Sequence, residues 1–233
     1  MSTEKKTRGS GLKRRSNFAR SPTRLLVWGA LVLISVGILG PVFGRTFLDA
    51  PPTQGLYKPT AYTLARGETQ IQFFAFTSPT NPLEFFEFEY GLTDAFQLGM
   101  RPVSALFGDV RVWGKYHVGT TGPISLAIPF GVNVLIPVPS WTLRGGWVLS
   151  WRVLSFLTLH PGLDLSFTPA MGVHPYLGVD LDAWRNLKLV AELDGEEPYV
   201  HVGILIWAFG FVRLQVDTPL PIISLRITVT GRF

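Results

Sequence analysis

The chain has 233 residues, long enough for one large all-β domain or two small ones. It contains no cysteine, which excludes disulfides, thiolate metal sites and a lipid-modified cysteine near the N-terminus. Its formal charge of +5 belongs to one end: residues 1–44 hold eight Lys/Arg against one acid, residues 45–233 thirteen against fifteen, so the excess is no argument for nucleic-acid binding by the remainder.

The N-terminus is basic and polar through "KKTRGSGLKRRSNFARSPTR", and a single apolar run, "LLVWGALVLISVGIL" (residues 25–39), follows. The pattern is that of a signal peptide over residues 1–44, with Val42 and Gly44 small enough for the −3 and −1 positions of a cut near Arg45, or with a cut after Ala50. An uncleaved helical anchor is the alternative, and in both cases the basic end stays inside while residues from 45 onward are exported. Residues 45–66 are rich in Pro and Thr and read as an extended periplasmic leader.

From about residue 67 onward the chain falls into short segments of period two, separated by Gly, Pro, Asn and Asp. Val110, Val112, Tyr116 and Val118 share one face, with Arg111, Lys115 and His117 on the other. Ile124, Leu126, Ile128, Phe130, Val132 and Val134 oppose Ser125, Ala127, Gly131 and Asn133; Leu187, Leu189, Ala191 and Leu193 oppose Lys188 and Glu192. Val200, Val202, Ile204 and Ile206 oppose His201 and Gly203. Twelve segments start near residues 67, 83, 95, 110, 124, 146, 163, 174, 187, 199, 211 and 222, and ten strands also fits because the boundaries around 146–182 are soft. The spacing suits strands of ~9–11 residues crossing a bilayer.

A soluble sandwich or lipocalin-like barrel alternates as well, with its apolar face inward. Here the apolar faces run almost uninterrupted while the opposite faces carry charge, Gly and Ser. Aromatic residues near strand ends (Trp113, Trp141, Trp147, Trp184) can supply interfacial girdles. Hydrophobic residues make up 47% of the chain and charged ones 16%, which is greasy for a soluble domain. A closed antiparallel transmembrane β-barrel over residues 67–233 is therefore expected, because closure satisfies every backbone group in lipid. Short turns at 91–94, 119–123, 160–162, 182–186 and 208–210 would lie at the periplasmic end.

The chain ends on "PIISLRITVTGRF", in which Ile223, Leu225, Ile227, Val229 and Phe233 take alternate positions. This ending resembles the terminal strand signal of bacterial outer-membrane β-barrels. "TAYTLARGETQIQF" (61–74) and "FEYGLTDAFQLGM" (88–100) are similar to the first hairpins of small outer-membrane barrels, with a Gly-Glu before strand one and a Tyr-Gly-Leu-Thr-Asp turn after strand two. In that turn Gly91 would provide positive φ, and Thr93 and Asp94 would bond back to the backbone. The resemblance implies an outer-membrane location. It also implies that the barrel assembly machinery reads the last strand, which then closes against the first.

With that orientation the inward set contains Arg101, Arg111, Lys115, Arg152, Asp164, Asp180, Glu192, Arg213 and Arg226, with Glu87 and Glu89 near the first hairpin. Mixed charge of both signs means either an ion-paired network filling a narrow barrel or a small water-filled pore. The function expected is structural or small-solute passage, with membrane lipid and the assembly machinery as partners and no nucleic acid, metal or cofactor. The four histidines show no metal spacing. Two further readings stand beside it: a barrel hydrolase acting on lipid, for which Ser150, Ser166 and His160 are inward candidates lacking a nucleophile motif, and a soluble β domain tethered to the inner membrane by residues 25–43.

Overall fold

The computed structural model describes residues 54, 58–75, 86–136, 140–195, 200–208, 211–218 and 224–232. The segment 1–44, the proposed cleavage positions, Ile223 and Phe233 lie outside the described residues.

Among the described residues twelve strands form one sheet: β1 (Thr69–Ala75), β2 (Phe86–Thr93), β3 (Phe96–Met100), β4 (Asp109–Thr121), β5 (Ile124–Leu135), β6 (Ser140–Leu154), β7 (Leu157–Thr168), β8 (Ala170–Trp184), β9 (Leu187–Asp194), β10 (Val200–Trp207), β11 (Val212–Thr218) and β12 (Ser224–Gly231). Each pairs antiparallel with its sequence neighbours, and β1 pairs with β12, Thr69 opposite Gly231 and Ile71 opposite Val229. The sheet is thus a closed barrel with no free edge, the device by which a sheet satisfies all its backbone groups without water. A short helix, α1 (Pro102–Leu106), connects β3 to β4 and had no counterpart in the period-two pattern; Pro102 opens it, where a missing N–H costs nothing.

The alternation of the sequence reappears as alternation of burial, with the usual sense inverted. On β9 Lys188 and Glu192 are buried at 2% and 3% while Leu189 and Leu193 are 40% and 50% exposed. On β5 Ser125 and Ala127 are buried while Ile124 and Ile128 are exposed; Thr158 and His160 of β7 and Arg226, Thr228 and Thr230 of β12 are buried while their apolar neighbours are half-buried. Polar side chains face the barrel interior, joined there by Val148, Val190 and Leu205, and most apolar ones face outward. A soluble barrel does the reverse. Trp141, Trp147, Trp151 and Trp184 are outward and exposed. Trp113 is not part of that set: it shares the Arg111 and Lys115 face of β4 and donates its Nε1–H to Glu89 at 2.9 Å.

At the rim where β1 begins and β12 ends, four hairpins turn through two residues: 94–95, 122–123, 155–156 and 185–186. Gly122, at φ 56°, supplies the left-handed position that Gly-Pro needs in such a turn. The turn expected at 160–162 is corrected to Ser155–Phe156. Pro161 and Gly162 lie inside β7, and the β6–β7 register omits Leu149 and Ser150 against His160 and Pro161, because proline offers no ladder N–H. Pro129 leaves the same kind of gap between β5 and β6. For this reason β6, β7 and β8 begin at 140, 157 and 170 rather than 146, 163 and 174.

Gly91 also differs from expectation. It lies in β2, and the positive φ belongs to Gly67, at 74°. Gly91 is needed for close approach, since a Cβ there would overlap the Ala65 carbonyl. The Gly67 N–H donates to the Gly91 carbonyl and the Gly91 N–H to the Glu68 carbonyl, both at 2.8 Å, tying the chain that precedes β1 to the first hairpin. The Thr93 hydroxyl accepts the Ala95 N–H at 3.2 Å as expected, whereas the Asp94 carboxylate accepts the N–H of Arg66 at 2.9 Å rather than one within its own turn.

Candidate functional site

The barrel interior gathers several charged residues of the inward faces into pairs. Arg101 donates to Glu87 at 2.7 Å, and Arg111 lies 2.8 Å from Asp109. Asp180 faces Lys188 at 2.9 Å, and Lys188 also reaches Asp182 at 3.2 Å. Arg213, 1% exposed, donates to Thr228 at 3.4 Å across the β11–β12 pair, while Arg226 is buried opposite Gln215 in the register. Arg152 is half-buried on the inward side of β6. Asp164 stands 3.5 Å from Arg144 and 3.8 Å from Lys58. Lys115 and Glu192 turn to a different partner: a stretch of backbone that lies inside the barrel.

That stretch is residues 58–66. The Lys115 ammonium donates to the Thr60 carbonyl at 3.0 Å, and Glu192 accepts the Lys58 N–H at 3.3 Å. The Ala61 N–H donates to Ser150 Oγ at 2.8 Å, and the Ala61 carbonyl meets His117 Nδ1 at 2.9 Å. The Leu64 N–H donates to Gln97 Oε1 at 2.9 Å. Gln97 is on β3 and Glu192 on β9, six strands apart in a ring of twelve, so the segment crosses from one wall to the opposite one. Thr60, Ala61 and Leu64 are buried at 1%, 0% and 3%, and Ala61 packs with Ala127, Val148 and Tyr176 in a small apolar cluster. Gln54 forms an isolated antiparallel bridge with Pro59 and donates to Glu89 at 3.0 Å. The stretch that reads from its composition as a leader ahead of the barrel is, over 58–66, packed within it.

Lys58 and Tyr176 are two interior residues that period-two reasoning passes over, as it does Gln97 and Asp194. The Lys58 ammonium lies 3.0 Å from Asp194 and 5.7 Å from the centroid of the Tyr176 ring. The Tyr176 hydroxyl donates to the Pro59 carbonyl at 3.4 Å. Lys58 belongs to no alternating segment, and Tyr176 is flanked by Pro175, which masks its strand; parity from Asp180 would have placed it inward.

A further cluster concerns nucleophile chemistry. Ser150 Oγ is 2.7 Å from His160 Nδ1, and His160 Nε2 is 3.1 Å from Asp180 Oδ2. All three side chains are buried, at 1%, 3% and 1%. The second candidate, Ser166, meets His174 Nε2 at 3.2 Å. The Ser–His–Asp order of contacts is that of an acyl-transfer triad. Here Ser150 already holds the Ala61 N–H, and Asp180 is already neutralised by Lys188, so the array also serves to seat the crossing segment. Among the described residues no group of three His, Asp or Glu side chains is arranged to hold a metal ion.

No protein-family model and no curated protein sequence matches this chain. Among solved structures it is similar to a KdgM porin, at TM-score 0.51 and 10% identity over 71% of this chain and 99% of that one. It is also similar to a KdgM porin in complex with disordered oligogalacturonate, at TM-score 0.48 and 11% identity over 71% of this chain and 98% of that one. At these identities the likeness is one of fold: the chain is a closed, all-β, twelve-stranded antiparallel barrel of the kind seen in a porin.

Proposed function

We propose that this chain is a bacterial outer-membrane barrel whose interior passes small solutes. The observation that carries the reading is the width and chemistry of the interior. It admits an extended polypeptide from one wall to the other, and the walls it meets are lined by hydrogen-bonding and charged side chains. A bore that accepts a peptide backbone accommodates hydrated ions and small polar solutes, and fixed charges in such a confined path select among them. The membrane location is supported by the inverted faces, since exposed Leu, Val, Ile and Trp around a closed barrel are stable against lipid and unstable against water. The basic and apolar N-terminus, the first-hairpin pattern and the terminal strand point the same way, toward export and insertion by the barrel assembly machinery.

The test is stepwise ion conductance of the full-length protein refolded into planar bilayers. The proposal expects discrete current steps with a selectivity that shifts toward cations in Arg111→Ala. A protein that is heat-modifiable on gels, hence a closed barrel, yet silent in bilayers both as the full chain and with residues 54–62 deleted would remove the channel reading.

The Ser150, His160 and Asp180 contacts favour a second reading, a hydrolase acting inside the barrel. It makes a separate demand: covalent labelling by a fluorophosphonate probe that disappears in Ser150→Ala. Absence of labelling in the wild-type protein would remove it.

A further inference from the structure

We infer that residues 58–66 are a withdrawable plug, tethered at the Gly67–Gly91 clasp and held in the lumen by side chains that release it to open the path. The inference rests on the channel reading above and adds its regulation. Three observations carry it.

The first is position. Arg66 and Thr63 contact Asp94 at the rim where β1 begins, the Thr63 hydroxyl donating to the Asp94 carbonyl at 3.0 Å. Lys58 reaches Asp194, the last residue of β9, toward the other rim. The segment therefore runs diagonally through the lumen, and a solute has to pass it.

The second is the kind of bond that holds it. Within the lumen the segment's backbone is held by side chains of the walls, Glu192, Ser150, His117, Lys115, Gln97 and Tyr176, while the Lys58 ammonium and the Thr63 hydroxyl add side-chain contacts toward its two ends. A strand built permanently into a sheet exchanges N–H and C=O groups with its neighbours in a cooperative ladder. Single side-chain bonds can each be exchanged for water without disturbing the wall, so the barrel persists whether the segment is seated or not.

The third is the asymmetry of attachment. One end is covalently continuous with β1 and clasped by the reciprocal Gly67, Glu68 and Gly91 backbone bonds. The other end is held chiefly by charge, with Lys58 beside Asp194 and Asp164 and over the Tyr176 ring, and Gln54 beyond it adding a single side-chain bond to Glu89. A hinge at one end and an ionic latch at the other is the arrangement of a plug that swings.

The absence of cysteine makes the test clean, because an engineered pair has only itself to bond with. The Ala61 N–H donates to Ser150 Oγ at 2.8 Å, which makes these two positions the pair to cross-link. Full-length A61C/S150C, refolded, should conduct little when oxidised and several-fold more after dithiothreitol, within the same folded molecules. K58E should raise the open probability several-fold, since it sets a carboxylate against Asp164, Glu192 and Asp194, and deletion of residues 54–62 should raise it further. Heat modifiability serves as the folding control for each. Equal currents from the oxidised and reduced pair, with the disulfide verified by mass, would overturn the plug and leave the channel standing. Silence of the wild type, the reduced pair and a heat-modifiable deletion variant would overturn the channel reading and the plug with it.

Discussion

Lys188 and Asp180 form an ion pair at 2.9 Å in which both side chains are almost wholly buried, on neighbouring strands of a barrel interior. The pair is the hub of a larger group: Asp182 lies 3.2 Å from the same ammonium, and His160 joins Asp180 to Ser150. Removing one partner of a buried pair leaves a charge without compensation, typically at ~3–5 kcal/mol, whereas removing both with apolar groups is often neutral. Lys188→Met should therefore destabilise the barrel by about that amount, read as a lower urea midpoint of tryptophan fluorescence. Because Lys188 also serves Asp182, the double variant Lys188→Met, Asp180→Leu should recover part of the loss but not all of it.

The outward face makes the opposite demand. Leu189 is 40% exposed between Lys188 and Val190, which both point inward. In a bilayer, Leu189→Arg places a guanidinium against hydrocarbon and should cost ~2–4 kcal/mol in refolding into liposomes. The same substitution on a water-facing surface would be almost silent.

Gly67 and Gly91 separate two kinds of glycine requirement within one clasp. At Gly67 a Cβ meets nothing, so Gly67→Ala incurs only the left-handed φ, roughly 1–2 kcal/mol. At Gly91 a Cβ overlaps the Ala65 backbone, so Gly91→Ala must push the incoming chain away from the first hairpin. Gly91→Ala should be the more damaging of the two in a urea titration, and it alone should expose the 58–66 segment to a protease.

Closure depends on β12, whose Ile227 and Val229 lie opposite Phe73 and Ile71 of β1 and opposite Leu214 and Val212 of β11. Replacing Ile227 and Val229 with Asp should prevent a heat-modifiable species from forming, because an open barrel leaves unpaired N–H and C=O groups in hydrocarbon at several kcal/mol each. Deletion of Phe233 tests the separate expectation that the terminal aromatic is part of the insertion signal. A protein that reaches the outer membrane normally without it would remove that role.

Much of this architecture is legible in the sequence because period-two alternation is a direct readout of strand parity. The parity that separates Lys188 from Leu189 sorts every strand into an inner and an outer face. Strand ends were less legible, for a physical reason. Pro129, Pro161 and Pro175 signal breaks, yet a barrel tolerates them inside β5, β7 and β8: ladder positions toward β6 are skipped at Pro129 and Pro161, and Pro175 lies just past the last pair of β8 with β9. The real turn at Ser155–Phe156 carries no Gly, Pro, Asn or Asp to announce it. The pairing of lumenal charges was not legible at all. Contacts such as Lys58 with Asp194, or Leu64 with Gln97, are set by closure and by a segment without alternation, and no local pattern encodes which wall it will meet.

The most direct test of the account is the environment of its two faces. Single cysteines at 189, 204, 192 and 226, each unique in this chain, carry a nitroxide in protein refolded into liposomes. The account expects relaxation at 189 and 204 to be enhanced by lipid-soluble oxygen and left almost unchanged by a water-soluble nickel complex, with labels at 192 and 226 shielded from oxygen. Strong relaxation of the label at 189 or 204 by the nickel complex would contradict the inverted barrel, and with it the membrane placement on which the proposed function stands.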